Sequence, residues 1–415
     1  MPKIDTTNHP TTKRAVVKSV SAVAVALALT LPGLVPAFAQ QRAFAVAIPA
    51  KPGPVDGSPL NSDAFIWNLF TQFAAPAIKG QPSPVVFETW ASDQDTFSAT
   101  PHWPAPNEPV KLHASVLEAM TRPAIRGLPA ATSPHSAIDA PCGTPGNAAV
   151  GGFPTSGPPA PCIAEETKRN RPQFDYIVNN NLNTKAGLAA AFAKSFAVVM
   201  PTTAISVKGD WVPVQTLLQW IPQLGSVGNI EKLYLTTTSA SVEYALVSLH
   251  VSSRQNPNWV WGTFEHQMNP GRCDNLGCFD SFGAAIPAVF PNLKTINTQY
   301  GACPKTPRLK VMMAKADLSP VWQNYCLKAT EVTYTDATGT PYALGNSVIE
   351  RIVGNGTVSA SSCIACHVYA SFGASGAPTG AATAMLPYNP TGNPIPAVLA
   401  GSLQFDFMWG VLLAP

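Results

Sequence analysis

Two cysteines and a histidine near the C-terminus have the types and the spacing of a covalent haem attachment site. Cys363, Cys366 and His367 form a CxxCH motif, in which each thiol can form a thioether with one vinyl group of a porphyrin. On a helical turn the imidazole of the next residue points at the iron, so His367 is the expected proximal ligand. The motif therefore predicts one covalently bound haem c.

Two other chemistries also use paired cysteines. A structural zinc site would need a second cysteine or histidine pair nearby. A thioredoxin-type redox pair would need a preceding strand and a following helix. The sequence around Cys363 shows neither context, so haem attachment is the interpretation that the motif favours.

The sixth coordination position of the iron decides whether such a haem carries electrons or binds small molecules. Met385 lies two residues before a proline, as methionine ligands in cytochromes commonly do. Met408 lies 41 residues after His367, far enough along the chain to return to the iron, but its aromatic neighbours favour core packing. His266 and His250 lie on predicted strands, where an imidazole is more often a hydrogen-bonded core residue. A vacant or water-bound position is the remaining alternative, and the sequence leaves the choice open.

Composition and charge narrow the class of protein. Hydrophobic residues make up 46% of the 415, charged residues 12%, and there are 42 prolines and 29 glycines, which indicates a loop-rich globular chain. Four of the 26 basic residues and one of the 23 acidic residues precede residue 40, which leaves 22 of each in the remainder. A neutral body lacks the basic surface that nucleic-acid binding requires, so we expect no nucleic-acid partner.

The first 39 residues have the pattern of an export signal. Basic residues up to Lys18 precede an uncharged apolar run, and Ala37, Phe38 and Ala39 complete a typical cleavage site. The apolar run is broken by Pro32 and is shorter than the ~20 residues that a bilayer crossing needs. We therefore expect residues 1–39 to be removed and the mature chain to be periplasmic or secreted, without a transmembrane anchor.

Six further cysteines can oxidise in an exported protein. Six thiols allow fifteen pairings, and short loop closure favours neighbours along the chain. The predicted disulfides are Cys142 with Cys162, Cys273 with Cys278, and Cys303 with Cys326.

Periodicity predicts an α+β fold with an antiparallel, β-rich body. Asp63 and Thr184 are expected to cap helices, the second running from 185 to about 198. Period-two patterns predict the strands 204–207, 232–237, 242–251 and 259–266, with a short strand at 309–313 and a helix around 321–327. Asn346 is expected to cap a further helix.

The same patterns predict the domain organisation. Residues 40–335 form the body, with a Pro/Gly-rich loop at 123–161, and residues 336–415 form a helical, cytochrome c-like haem segment. Because the last segment is near the lower size for an independent core, we expect the body to cover part of the porphyrin.

The CxxCH turn at 363–367 and the residues beside it resemble the cytochrome c superfamily. Further stretches along the chain are similar to exported bacterial proteins described as cytochrome c family proteins. The resemblance is carried by residues 87–90 (FETW), 249–251 (LHV), 257–266 (PNWVWGTFEH), 344–350 (LGNSVIE), 361–367 (SSCIACH) and 406–409 (DFMW). It implies one covalent haem and electron transfer. For an electron carrier we also expect a redox partner protein, whose identity the sequence leaves open. Small cytochromes c also place a methionine ligand after the haem turn, and this chain has no unambiguous counterpart.

Three functions remain compatible with the motif. The first is electron transfer by a periplasmic monohaem cytochrome. The second is a haem-dependent peroxidase or oxygenase with an open distal site, and the third is a haem-based sensor or binding protein. The sequence contains no GxSxG, HExxH or phosphate-binding glycine motif, so we assign no catalytic residue and favour electron transfer.

Overall fold

A seven-stranded antiparallel sheet forms the centre of the structure, a computed structural model. The structure describes residues 59–112, 164–347, 361–379 and 394–415, except 82, 83, 107, 240, 275, 293, 295–297, 337 and 395. The strands of the sheet are β1 Ala91–Ser92, β2 Ala164–Arg169, β3 Ile205–Pro213, β4 Thr236–Ser239, β5 Val242–Ser253, β6 Val260–His266 and β9 Tyr325–Glu331. Their order is β1, β2, β3, β5, β6, β9, with β4 paired to β5. The antiparallel sheet confirms the predicted fold class.

Two short antiparallel pairs and a set of helices surround this sheet. The pairs join β7 Cys278–Phe279 to β8 Ala288–Val289, and β10 Ser371–Phe372 to β11 Leu403–Gln404. The described helices are α1 Pro59–Phe73, α2 Asp93–Thr96, α3 Arg171–Asn179, α4 Lys185–Ala193, α5 Val214–Trp220, α6 Val227–Leu233, α7 Pro307–Lys315, α8 Cys363–His367 and α9 Pro396–Leu399. Short 3-10 turns occupy Val86–Thr89, Pro222–Leu224, Pro320–Asn324 and Trp409–Leu413.

Helix α1 covers one face of the sheet and forms the first core with it. The rings of Trp67 and Phe70 lie 4.9 and 4.6 Å from the ring of Phe264 on β6. Gly262 allows this close approach, because a Cβ atom there would lie 2.6 Å from the Ile66 side chain. The predicted alternation along β6 is confirmed, since Val260 and Phe264 belong to this core whereas Trp261 belongs to the core on the other face.

The opposite face of the sheet carries a second core, in which the body meets the CxxCH segment. Trp259 and Trp261 pack there with Ile364, Val368 and Phe405. Of residues 336–415, the described parts contain α8, α9 and the β10–β11 pair. The predicted helix capped by Asn346 and the haem segment as a whole lie partly outside the described residues.

Several element predictions are corrected by the structure. The predicted strand at 309–313 is wrong, because Pro307 begins helix α7 and Thr306 Oγ1 accepts a hydrogen bond from the backbone N–H of Leu309. The predicted helix at 321–327 is a 3-10 turn followed by β9, and the predicted strand at 232–237 overlaps the end of α6.

The two predicted helix caps have different outcomes. Thr184 caps α4 as predicted, although α4 ends at Ala193. Asp63 lies inside α1, and its carboxylate instead accepts hydrogen bonds from Ser281 and Thr330. Asp63 thus links helix α1 to Ser281 and to strand β9 at Thr330.

Two of the three predicted disulfides are present. Cys273 is bonded to Cys278, and Cys303 is bonded to Cys326. Cys142, Cys162 and the loop 123–161 lie outside the described residues, as does the predicted signal 1–39. Within the part of the chain that the structure describes, none of the helices combines the length and the apolarity that a bilayer crossing requires.

Candidate functional site

The CxxCH motif forms the short helix α8. Ser362 caps it by accepting a hydrogen bond from the backbone N–H of Ala365, and this fixes the first turn. Cys363, Cys366 and His367 are half-buried on this turn, whereas Ile364 is fully buried in the second core. One helical turn therefore presents both thiols and the imidazole, as the motif predicts.

A buried carboxylate from the sheet holds the start of α8. Glu331, the last residue of β9, accepts a hydrogen bond of 2.6 Å from the Ser362 hydroxyl and one of 3.2 Å from the backbone N–H of Ile364. Burial raises the pKa of Glu331 to about 8, although these hydrogen bonds and one from the Cys363 N–H act in the opposite direction. Glu331 therefore ties the CxxCH turn to the edge strand of the sheet.

The imidazole of His367 is oriented by a backbone carbonyl. Its Nδ1 atom lies 2.7 Å from the carbonyl oxygen of Phe407. Because a carbonyl only accepts, Nδ1 carries the proton and Nε2 carries the lone pair that a metal requires. The ring also packs on the indole of Trp261, with the ring centroids 4.6 Å apart.

The loop that supplies this carbonyl is fixed by Asp406. Its carboxylate accepts hydrogen bonds from Arg254 Nε at 2.9 Å, from the backbone N–H of Met200 at 2.6 Å and from Trp259 Nε1 at 3.2 Å. Asp406 and Phe407 both have positive φ angles, of 44° and 67°, which non-glycine residues rarely adopt. The polar contacts hold this uncommon backbone and with it the acceptor for His367.

These residues fit the chemistry of a covalent haem. The protein supplies two thiols for thioethers and one imidazole nitrogen for the proximal side of the iron, and a carbonyl partner on Nδ1 is typical of a metal-ligating histidine. Among the described residues, no group of three or more His, Cys, Asp and Glu side chains is arranged to hold a metal ion. A haem brings its own four porphyrin nitrogens, so Cys363, Cys366 and His367 are the protein groups that could hold it.

Comparison with known proteins adds no relationship. A scan against protein-family models, a search of curated proteins and a search of solved structures each found no match to this chain.

His266 is fully buried and both of its ring nitrogens have hydrogen-bond partners. Nδ1 accepts from the backbone N–H of Met268 at 3.2 Å, so Nε2 is protonated and donates to the Leu233 carbonyl at 3.1 Å. The ring stacks on Tyr234 with the centroids 3.5 Å apart. Burial lowers the pKa of His266 to about 3, against the raising effect of the Leu233 carbonyl. This is the environment of a neutral core histidine.

The strand geometry also separates His266 from the haem motif. Trp261, which contacts His367, lies five residues before His266 on β6, or roughly 17 Å at the rise of an antiparallel strand. The structure thus does not bring His266 to His367.

The two methionine candidates have different positions. Met408 is buried, and its sulfur accepts a hydrogen bond of 3.3 Å from Arg169 Nη1. Its neighbour Phe407 contacts His367, so Met408 is near the motif although its sulfur is engaged by a cation. Met385 lies outside the described residues.

His250 lies in a buried polar network on the face of the sheet that also carries Trp261. Its Nε2 accepts from Asn346 Nδ2 at 2.9 Å, so its Nδ1 donates to Thr263 Oγ1 at 2.9 Å. Asn346 Nδ2 also lies 2.9 Å from Asp210 Oδ2. Burial raises the pKa of Asp210 to about 7, and the charge of Lys208 opposes that shift.

A second buried polar group lies beside this network. Glu265 forms an ion pair of 3.1 Å with Lys328 and accepts hydrogen bonds from the backbone and the hydroxyl of Ser347. Asn346 and Ser347 precede the CxxCH motif in the chain, and their hydrogen bonds link this segment to the sheet. Glu265 and His266 therefore face opposite sides of β6, as the alternation predicts.

Proposed function

We infer that this chain is an exported monohaem c-type cytochrome that transfers electrons. The haem would be bonded to Cys363 and Cys366, with His367 as the proximal ligand. The observation that carries this proposal is the hydrogen bond from His367 Nδ1 to the Phe407 carbonyl, because it places the proton on Nδ1 and the metal-binding lone pair on Nε2, in a turn that also contains both thiols. Neither a zinc site nor a thioredoxin-type pair requires that combination.

The haem, when bound, would supply a one-electron iron couple. The residues of this chain would hold and shield it. Trp261 packs on the imidazole and excludes water from that side, Glu331 fixes the first turn of α8, and Asp406 fixes the loop that carries Phe407. A pre-ordered proximal side favours electron transfer because it needs little rearrangement when the charge of the iron changes.

The proposed location is the periplasm or the exterior. It is supported by the disulfides Cys273–Cys278 and Cys303–Cys326, which persist in oxidising compartments, and it agrees with the export signal predicted in residues 1–39. The neutral mature chain gives no general charge steering, so the redox partner would be recognised through a local surface.

A second function is favoured by the positions of the ligand candidates. His266 has both ring nitrogens in hydrogen bonds, and the Met408 sulfur is bonded to Arg169. If neither moves to the iron, the distal side is open to Met385 or to a small molecule. An open site would make the protein a haem-dependent oxidoreductase or sensor instead of a carrier.

Optical spectroscopy of the haem-loaded protein tests both functions. The carrier predicts a low-spin ferric spectrum and no rapid change when carbon monoxide is added to the ferrous form. Rapid carbon monoxide binding would instead support the open site. Cys363→Ala and Cys366→Ala are expected to weaken covalent haem retention and His367→Ala to perturb the spectrum, and wild-type behaviour of all three variants would refute the haem proposal.

A further inference from the structure

Three exposed apolar side chains lie on the hairpin formed by β7 and β8, namely Phe290 (75% exposed), Ile286 (62%) and Phe279 (37%). Phe279 pairs with Ala288, so their side chains share one face of the hairpin, and Ile286 and Phe290 lie two residues to either side of Ala288. The rings of Phe279 and Phe290 also contact each other, with the centroids 5.8 Å apart. We call these three side chains the hairpin patch. A group of exposed apolar side chains marks a surface that contacts a protein or a membrane, whereas single ones are common.

The hairpin is anchored to the body of the protein. The disulfide Cys273–Cys278 closes the loop that leads into β7, and Asp280 accepts a hydrogen bond of 2.9 Å from Trp67 Nε1 on helix α1. Phe282 packs against the first core. The hairpin therefore turns one aromatic side chain inward and holds the hairpin patch on its outer side.

The chain that follows the hairpin is basic. Residues 281–316 contain five lysines and arginines but no aspartate or glutamate, although the mature chain is neutral. Four of these five residues are exposed, namely Lys294, Arg308, Lys310 and Lys315. Arg308 joins helix α7 to the hairpin, because its Cζ atom lies 3.9 Å from the centre of the Phe282 ring and its guanidinium donates to the carbonyl of Ser281. The hairpin patch thus lies beside a helix whose exposed charges are positive.

We propose that the hairpin patch and helix α7 bind the surface of an anionic lipid bilayer. The apolar side chains of the patch enter the boundary between the headgroups and the acyl chains, and Lys310 and Lys315 contact the anionic headgroups. Val311, which is 52% exposed on the same helix, adds to the apolar contact. Charge complementarity selects an anionic bilayer, because a neutral one would meet only the apolar part of this surface.

The size of the patch favours a bilayer over a protein partner. A stable protein–protein interface uses about 20–30 residues on each side, whereas the hairpin exposes three large apolar side chains. Insertion into a headgroup region needs no matching partner surface, so a few apolar side chains together with nearby cations are sufficient.

The position of the patch also disfavours a redox partner at this surface. The hairpin packs on the α1 side of the sheet, whereas Trp261, which contacts His367, belongs to the core on the opposite face. The sheet would therefore separate a protein bound at the hairpin from the CxxCH turn. A bilayer bound there would leave that turn on the far side of the sheet.

Co-sedimentation of the purified full-length chain with lipid vesicles tests the proposal. One set of vesicles contains equal parts of phosphatidylglycerol and phosphatidylcholine, and the other contains phosphatidylcholine alone. We expect saturable binding to the anionic vesicles, about tenfold weaker binding to the neutral ones, and a loss of binding as salt screens the charges. Absence of binding to the anionic vesicles, or equal binding to both kinds, would overturn the proposal.

Two variants assign the binding to this surface. Phe290→Ser removes the most exposed side chain of the patch and Lys310→Glu reverses a charge on α7, so each should lower the affinity about fivefold. The matched controls are Val199→Ser, at a residue that is 53% exposed, and Lys194→Glu, directly after helix α4. Both controls lie beside residues of the second core and should bind as the wild type does. All variants share residues 1–39, so equal losses in test and control variants would overturn the proposal.

Sedimentation velocity without lipid distinguishes the bilayer from a second copy of this chain. We expect one sedimentation coefficient at all protein concentrations, in the wild type and in Phe290→Ser. A dimer that forms in the wild type and is lost in Phe290→Ser would show that the hairpin patch binds a second copy, and would overturn the proposal. Because none of these changes touches the CxxCH turn, the outcomes leave the haem proposal unaffected.

Discussion

The Nδ1 atom of His367 lies 2.7 Å from the carbonyl oxygen of Phe407, which follows it by forty residues in the chain. This contact joins the CxxCH turn to a loop that is itself fixed to the body of the protein through Asp406. The orientation of the imidazole thus depends on residues that lie far from the motif in sequence.

Asp406→Ala should loosen the loop that holds Phe407. The change leaves the buried N–H groups of Met200 and Trp259 without an acceptor, and each such group costs about 1–3 kcal/mol of the free energy of unfolding. The haem-loaded variant should also show an altered ferric spectrum. Asp317→Ala is the control, because Asp317 also has a positive φ but is exposed; equal effects of the two changes would contradict the role of Asp406.

Trp261→Phe should change the surroundings of the imidazole, because the indole of Trp261 packs directly on His367. We expect a shifted midpoint potential with the covalent haem retained. Trp322→Phe is a matched change in the first core, where the indole N–H has no hydrogen-bond partner among the described residues. It should lower the free energy of unfolding but leave the potential as in wild type. A potential that shifts equally in both variants would count against the contact.

Glu331→Ala should disturb the start of α8, since the Ser362 hydroxyl and the Ile364 N–H lose their acceptor. We expect the free energy of unfolding to fall by about 1–3 kcal/mol, with a smaller fraction of chains carrying covalent haem. Glu331→Gln keeps the shape and one acceptor oxygen, so it should lie between alanine and wild type. Urea unfolding and haem staining measure the two effects, and an alanine variant identical to wild type in both would exclude this role.

His266→Gln should leave the optical spectrum unchanged, because both nitrogens of His266 are bonded to the body of the protein. The substitution should change how the free energy of unfolding depends on pH, because the pKa of His266 is about 3 in the folded chain and its ordinary value is 6.5. The unfolded chain then binds the proton first as the pH falls through 6.5. The wild-type free energy of unfolding should therefore decrease toward pH 3, by about 1.4 kcal/mol per pH unit from this residue.

Urea unfolding at pH 7 and pH 5 measures that effect. The glutamine variant lacks it, so the difference in stability between wild type and variant should narrow at the lower pH. A difference in stability that is the same at pH 7 and pH 5 would contradict this effect. A lost low-spin spectrum in His266→Gln would instead place this residue on the iron.

Local signals in the sequence accounted for much of the fold. The β-branched, alternating stretches gave β5 and β6, Thr184 gave the start of α4, and neighbouring cysteines gave two disulfides. Strand β2 was missed because four of its six residues are charged, which hides the apolar alternation of a strand. Those charges are buried and compensated by groups that other parts of the chain bring to them, such as Asp93 for Arg169.

The site was predictable only as far as its chemistry is local. The motif Cys363, Cys366 and His367 is a single turn, so its spacing is visible in the sequence. Glu331 carries no such signal, because it reaches α8 through the pairing of β9 with the sheet. The carbonyl of Phe407 belongs to the backbone, and no residue type marks which carbonyl a distant imidazole will meet. In contrast, Thr306 followed by Pro307 is a helix-start signal in the sequence, and the strand prediction at 309–313 overlooked it.

Covalent haem attachment is tested most directly by the mass of the intact chain under denaturing conditions, after production together with a c-type haem attachment system. We expect a wild-type mass that exceeds the mass of the polypeptide by one haem and is unchanged by acid–acetone extraction, and a mass without haem when Cys363 and Cys366 are both changed to serine. A wild-type polypeptide that carries no haem, or that releases it to acid–acetone, would contradict the account.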